Sequence, residues 1–324
     1  MGNLNPPGHT FPTDHIYFYL ANNIQPPLYS PGDLTITEIG VGGNLTQGIS
    51  DYSITLQNCS EFEVYFLHVT SISTKLSDEF TSPFEWDNTY TTGGNTYRNY
   101  GKSVNISVSG GEQIGTVGGN PGQSSFDMGA YDTRVTLNFA NSGRWTIYNT
   151  IHTVCPIDYY SETLKSTLTA MFGDYDGSPK RTVEPVCGTV EQDVANTAQG
   201  AWFLKGTDNS WSGEDTHLAL VHHNVNPNTP VFSVGNSLSA SNLPKGVYEF
   251  SAQGSGLINR DFDDVTSDNN IYCYQMDGQG WVEGSITILV QLSTSTILKI
   301  ERGADSACGS GPWSFTGSVS EFER

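Results

Sequence analysis

The chain has 324 residues, with 14 Lys and Arg against 34 Asp and Glu, for a net charge of −20. A surface this acidic repels phosphate backbones and anionic lipid heads, which excludes nucleic-acid binding. No run of about 18 apolar residues occurs, so no segment is suited to membrane insertion as a helix. Charged residues make up only 15% and aromatics 11%, a composition for a folded, turn-rich chain rather than a disordered acidic one.

In chain order, the first 140 or so residues consist of short β-branched and aromatic runs separated by Gly, Pro, Asn and Ser. HIYFYLA, DLTITEIGV, YSITLQN, EVYFLHVTSIS, SVNISVSG, QIGTVGG and TRVTLNF read as strands. GGNTYRNYGK and GGNPGQSS read as loops by composition. Between Asp158 and Phe172, Leu164, Leu168, Met171 and Phe172 recur at helical spacing, with Asp158 or Ser161 to cap the start and Gly173 to end it. From about Thr189 the β texture returns in AWFLKG, HLALVHH, PVFSVG, GVYEFSAQ, NIYCYQM, GSITILVQL, TILKIERG and WSFTGSV. The expectation is a mainly β protein: an antiparallel β module over 1–145, a connecting segment over 146–188 with a helix at 158–172, and a small β-barrel or sandwich over 189–324.

The five cysteines contain no Cys-x-x-Cys pair, which argues against a zinc ribbon or a redox motif. Pairing neighbours in sequence gives Cys155 with Cys187 and Cys273 with Cys308, leaving Cys59 free. Two bridges favour an oxidising setting, extracellular, periplasmic or at the cell surface. MGNLNPPGHTF lacks the basic start and apolar stretch of a signal peptide, so for an exported protein Met1 would open a mature or shortened chain.

Several segments occur in an order that resembles the lysostaphin-type, LytM-like zinc endopeptidases that cut peptidoglycan cross-bridges. GHTFPTDHIYFYLA is similar to that family's opening His-x-x-x-Asp strand, and PPLYSPGDLTITEIG to the segment after it. EVYFLHVTSIS stands where the family has Tyr-x-His-Leu, SVNISVSGGEQIGTVGG resembles its Gly-x-x-Ile-Gly-x-x-Gly turn, and SSFDMGAYD stands in place of His-x-His. The resemblance implies a lysostaphin-like fold in which His9 and Asp14 are metal ligands and His68 is the catalytic histidine. It implies a zinc site with three protein ligands and an open position for water. Two departures follow: His9 and Asp14 are one residue further apart than the family's pattern, and His-x-His reads Phe126-Asp127-Met128. Asp127 could replace the missing ligand and His15 could add a nitrogen, but neither restores the lost catalytic histidine. The site is therefore expected to be degenerate, in a protein that binds a cell-wall polymer, a peptide or a surface protein. An active zinc metallopeptidase is the alternative.

Other clusters carry weaker chemistry. His217 and His223 share one face of HLALVHH and His222 the other, with Glu214 and Asp215 beside them, as in a strand ending at a polar rim or a metal pair. Asp261, Asp263, Asp264 and Asp268, with Asp174 and Asp176, fit solvated turns or weak extracellular calcium sites, the basis of a third reading as a structural protein assembling with calcium. Trp202, Trp211, Trp281 and Trp313, near Tyr272 and Tyr274, fit core packing or a ligand platform. No Gly-x-Ser-x-Gly nucleophile elbow is present.

Overall fold

The computed structural model describes residues 1–21, 24–122, 125–145, 149–207, 214–241, 243–276 and 284–324, and the chain is mainly β. The first sheet is built from β1 (His15–Tyr19), β2 (Pro27–Tyr29), β3 (Leu34–Asn44), β4 (Tyr52–Cys59), β5 (Phe62–Ile72), β6 (Trp86–Thr92), β7 (Asn95–Val108), β8 (Gln113–Val117), β9 (Ser125–Asp132) and β10 (Thr153–Val154). Its hydrogen-bonded order is β1-β9-β5-β4-β3-β7-β6, with β10 on β9 and β8 bridging β2 and β5. A short helix, α1 (Thr74–Glu79), follows β5 and buries Leu76.

Strand alternation divides this sheet into two faces. Ile16, Ile54, Leu56, Val64, Phe66, Met128 and Ala130 join one apolar core, and the burial of each side chain stabilises by about 1.5–3 kcal/mol for the larger ones. His15, Tyr17 and Tyr19 of β1, Tyr65 and Leu67 of β5, and Asp127, Gly129 and Tyr131 of β9 alternate with those core residues and form the opposite face.

Two sequence expectations fail here for identifiable reasons. GGNTYRNYGK is not a loop: Gly93 and Gly94, at φ 55° and 79°, form the two-residue turn of the β6–β7 hairpin, and the rest is strand. The polar β6, exposed along its length, gives no hydrophobic signal. Conversely, TRVTLNF is not a strand. Asp132 accepts hydrogen bonds from the Arg134 backbone N–H (3.0 Å), its guanidinium (2.7 and 2.6 Å) and the Tyr159 hydroxyl (2.6 Å), which turns the chain away where the ladder would continue.

The expected helix is shorter than its pattern. Pro156–Tyr159 is a 3₁₀ turn and α2 spans Glu162–Thr169, with Ser161 at the N-cap and Ala170 at the C-cap. Leu164 and Met171 are exposed, and only Leu168 and Phe172 of the apolar series reach the first core. Gly173 instead pairs with Lys180 to close a turn.

The second sheet comprises β11 (Gly200–Leu204), β12 (Leu218–His222), β13 (Pro230–Val234), β14 (Gly246–Glu249), β15 (Tyr272–Met276), β16 (Ile286–Thr294), β17 (Ile297–Arg302) and β18 (Ser320–Glu323). Its order, β14-β13-β12-β11-β18-β17-β16-β15, makes an antiparallel, nearly closed barrel-like sheet around Trp202, Phe232, Tyr248, Tyr274 and Phe322. Trp202 is wholly buried and its indole N–H donates to the Ala198 carbonyl at 2.9 Å, a core role. Trp313 packs beside the Cys273–Cys308 bridge and donates to the Cys308 carbonyl at 2.7 Å. Trp211 and Trp281 lie outside the described residues. The last strand begins at Ser320 rather than within WSFTGSV, because the buried Glu301 carboxylate binds the Thr316 backbone N–H (2.8 Å) and hydroxyl and holds that segment off the ladder.

Cys155 is bonded to Cys187 and Cys273 to Cys308, while Cys59 is free and exposed, so the bridges join the expected neighbours and point to an oxidising setting. Among the described residues no helix is long and apolar enough to cross a membrane. A small third cluster packs the N-terminal arm on the second sheet: Phe11 meets Ala201, Phe203, Ala219 and Val221, flanked by Leu4 and Trp145.

Candidate functional site

Three strands set the site by register. His15 on β1 and Tyr65 on β5 both pair with Gly129 on β9, and Tyr17 and Leu67 both pair with Asp127. His15 and Asp127 therefore stand one row apart on the face away from the core. Gly129, opposite both His15 and Tyr65, has to lack a side chain, because a Cβ there would lie 2.1 Å from the Tyr65 ring. Its absence lets the ring cross β9, and the Tyr65 hydroxyl donates to Asp14 at 2.9 Å.

Asp14 is the anchor. It also accepts from the Tyr131 hydroxyl at 2.6 Å and from His15 Nδ1 at 2.9 Å. Burial alone would raise its carboxyl, but the hydrogen bonds from His15, Tyr131 and Tyr65 outweigh it and hold the group below the ordinary carboxylate value. An ionised carboxylate only accepts, so His15 Nδ1 carries the proton and Nε2 is the ring's other face.

That Nε2 lies 3.5 Å from Asp127 Oδ2. His68 approaches the same oxygen, with Nε2 at 3.4 Å, while its Nδ1 meets Asp51 Oδ2 at 2.8 Å. His68 follows Leu67 on β5 and by strict alternation would turn to the other face. Its φ of 62° breaks the alternation, at a stretch where the ladder register shifts, and brings the imidazole to Asp127. The hydrogen bond to Asp51 raises the His68 pKa above its ordinary value, against burial and with further help from the Asp51 and Asp127 charges. Burial pushes the Asp127 carboxyl up, while His15 and His68 pull it down. His15 Nε2 and Asp127 Oδ1 are buried without a hydrogen-bond partner.

Of the residues singled out from the sequence, His15, His68, Asp14 and Asp127 are thus brought together. His9 stands behind them: its ring meets the His15 ring edge-on at 5.4 Å, and burial, then the neighbouring His15, lowers its pKa. His15, rather than His9, faces Asp127. Asp51, Tyr65 and Tyr131 were not legible as site residues, although Tyr65 and Tyr131 share the site-face alternation of their strands.

In front of Asp14 and His15 lies a cleft of about 480 Å³ between the first sheet and the second. Phe11, Tyr65, Tyr131, Trp145 and Phe203 supply aromatic walls, and Glu38, Glu63, Arg144, Glu214 and His217 the polar groups. Glu214 accepts the Phe11 N–H at 2.9 Å, and burial pushes its carboxyl up to about 8. His217 accepts the Leu204 N–H at 3.2 Å and stacks on Phe11, and burial lowers its pKa to about 4.

Most of the remaining candidates make local contacts. His222 pairs with Asp261 at 3.2 Å and His223 approaches Glu249 at 3.9 Å, so the HLALVHH histidines take separate partners. Asp261 caps Phe262, Asp264 pairs with Arg260, and Asp268 binds Asn270 and Tyr272. Among the described residues no group of three or more His, Cys, Asp and Glu side chains is placed to hold a metal ion.

No protein-family model matches the chain, and neither a curated protein nor a solved structure matches it.

Proposed function

We propose that the protein is a secreted or cell-surface binding protein whose lysostaphin-like first module holds a cell-wall polymer, peptide or surface ligand in the cleft and does not cleave it. The observation that carries this reading is the cleft itself: about 480 Å³, lined by five aromatic rings of Phe, Tyr and Trp and by polar groups from both sheets. Asp14, a metal ligand by the family resemblance, already gives its oxygens to three donors. The rigid aromatic walls suit recognition, and the Asp14 hydrogen-bond set fixes the floor.

One observation favours a second reading, an active zinc metallopeptidase. The separations of 3.4 and 3.5 Å from Asp127 Oδ2 to the two Nε2 atoms are near the roughly 3.4 Å between two ligands about 2.0–2.1 Å from a tetrahedral zinc. Asp14 and Asp51 fix the opposite ring nitrogens, as outer carboxylates do for metal-bound imidazoles. His15 Nε2 and Asp127 Oδ1, buried without partners, are the orphaned atoms a cation would satisfy. As they stand, His15, His68 and Asp127 do not form a metal-holding group; they would have to close around the ion to hold it, and it would supply Lewis-acid activation of water.

Elemental mass spectrometry of wild type, His15→Ala and His68→Ala, beside an assay for new amino termini released from peptidoglycan, separates the readings. Sub-stoichiometric zinc and no release support binding. About one zinc per chain, lost in both variants together with release, overturns it.

A further inference from the structure

A second recess lies along β1, outside the cleft, and it goes beyond the reading above. On the site face, Tyr17 and Tyr19 stack at 6.1 Å with their planes 18° apart. Tyr19 then meets Tyr175 at 6.3 Å and 75°, so the two rings form an open corner. The turn from Gly173 to Lys180 places Tyr175 there. Asp174 accepts the Tyr175 N–H at 2.7 Å, Asp176 accepts the Ser178 N–H at 2.9 Å, and the Gly173–Lys180 bridge closes the turn. These carboxylates thereby lie at the rim of a recess of about 380 Å³ that Met171 also walls. Tyr175 is 69% exposed, Met171 60% and Tyr19 48%, a concentration of apolar surface that folding leaves uncovered.

We propose that this corner binds the lysine side chain of a basic peptide partner, its ammonium against the ring faces of Tyr19 and Tyr175. Aromatic faces carry the negative part of the ring quadrupole and attract a cation. Asp127 and Asp174 both act on the Tyr19 hydroxyl, adding to burial in raising its pKa, so the corner lies in a field that favours positive charge. The net charge of −20 draws a basic partner toward this surface. Met171 supplies an adaptable apolar wall for the lysine methylenes. The angle selects the ligand shape: rings 75° apart enclose a compact ammonium, whereas a sugar face or a planar guanidinium stacks on a flat platform. Lys180, a cation at the rim, is tied to the Met171 carbonyl at 3.1 Å.

The test is a ligand-observed NMR titration of the full chain with N-acetyl-lysine-N-methylamide, its neutral norleucine isostere and tetramethylammonium. Lysine is expected to bind about five-fold more tightly than norleucine, with the difference shrinking as salt rises. Tyr175→Ala should weaken lysine about three- to ten-fold while Tyr175→Phe retains it. Thr55 of β4 lines the separate cleft, and Thr55→Trp, which fills that cleft, should leave lysine binding unchanged, so failure of the cleft reading and failure of this one are distinguishable. Equal affinity for norleucine, indifference to Tyr175→Ala, or binding of tetramethylammonium without lysine would overturn the proposal.

Discussion

His15 and Asp127, 4% and 2% exposed, face each other across the β1–β9 ladder with Nε2 3.5 Å from Oδ2. With Asp14 accepting from Nδ1, the other ring nitrogen of His15 meets a carboxylate oxygen. Only a proton or another cation between them makes that contact favourable. Asp127 Oδ2 has the same relation to His68 Nε2 at 3.4 Å, so the site is a carboxylate between two imidazoles, each oriented by a further carboxylate.

The pKa of His68 should follow this arrangement. Asp51 is the larger cause of its rise and Asp127 the smaller. Asp51→Asn should lower the His68 pKa more than Asp127→Asn does, both read from the ring resonances in an NMR pH titration. A folded-state pKa above the unfolded value means that the stabilisation is complete below about 6.5 and lost as pH rises through the folded value. Denaturation of wild type against Asp51→Asn should therefore converge at high pH. An unchanged His68 titration in Asp51→Asn would remove the dyad from the account.

Glu214 gives the same sign of pH dependence from a different cause. Its carboxyl, raised to about 8 from 4.5 by burial, favours the folded state while protonated. Wild-type stability should fall as pH rises from the unfolded value through about 8. Glutamine keeps an acceptor for the Phe11 N–H and cannot ionise. Glu214→Gln should match wild type near pH 4.5 and exceed it at higher pH by on the order of 3 kcal/mol. Equal destabilisation at both ends would mean that the ionised carboxylate is well accommodated.

Gly129 tests the floor of the cleft. A methyl group 2.1 Å from the Tyr65 ring forces that ring off Asp14. Gly129→Ala should cost about 1–3 kcal/mol in chemical denaturation, and Tyr65→Phe, which keeps the ring but loses the hydroxyl, about 1 kcal/mol. A tolerated alanine would mean that the ring has another place to go.

The β alternation, the neighbouring cysteine pairs and the mainly β architecture were legible because each rests on local periodicity or sequence spacing. Polar β6 escaped because an exposed edge strand has no apolar face to betray it. TRVTLNF misled because a β-branched pattern does not reveal that Asp132 will capture Arg134 and Tyr159. At the site, the sequence offered His9, Asp14, His15, His68 and Asp127 without their arrangement, and register is what sets His15 one row from Asp127. Asp51 and the left-handed backbone at His68 depend on β-ladder shifts that no spacing in the chain announces.

Thiol chemistry checks the covalent frame. Alkylation of the native, unreduced protein should modify Cys59 alone, with the other four protected until reduction. Bridges 32 and 35 residues apart close loops of similar length. The loss of either should cost a similar amount, about 3–4 kcal/mol. Peptide mass mapping that finds Cys59 in a mixed pairing would contradict the frame.

Ligand binding by the cleft is tested most directly by co-sedimentation with insoluble peptidoglycan, comparing wild type with Thr55→Trp, whose indole fills the cleft from β4. Wild type is expected to sediment with the polymer, Thr55→Trp to remain in solution, and no new amino termini to appear in either. Equal sedimentation of the two proteins, no sedimentation of wild type, or release of amino termini by wild type alone would contradict this expectation.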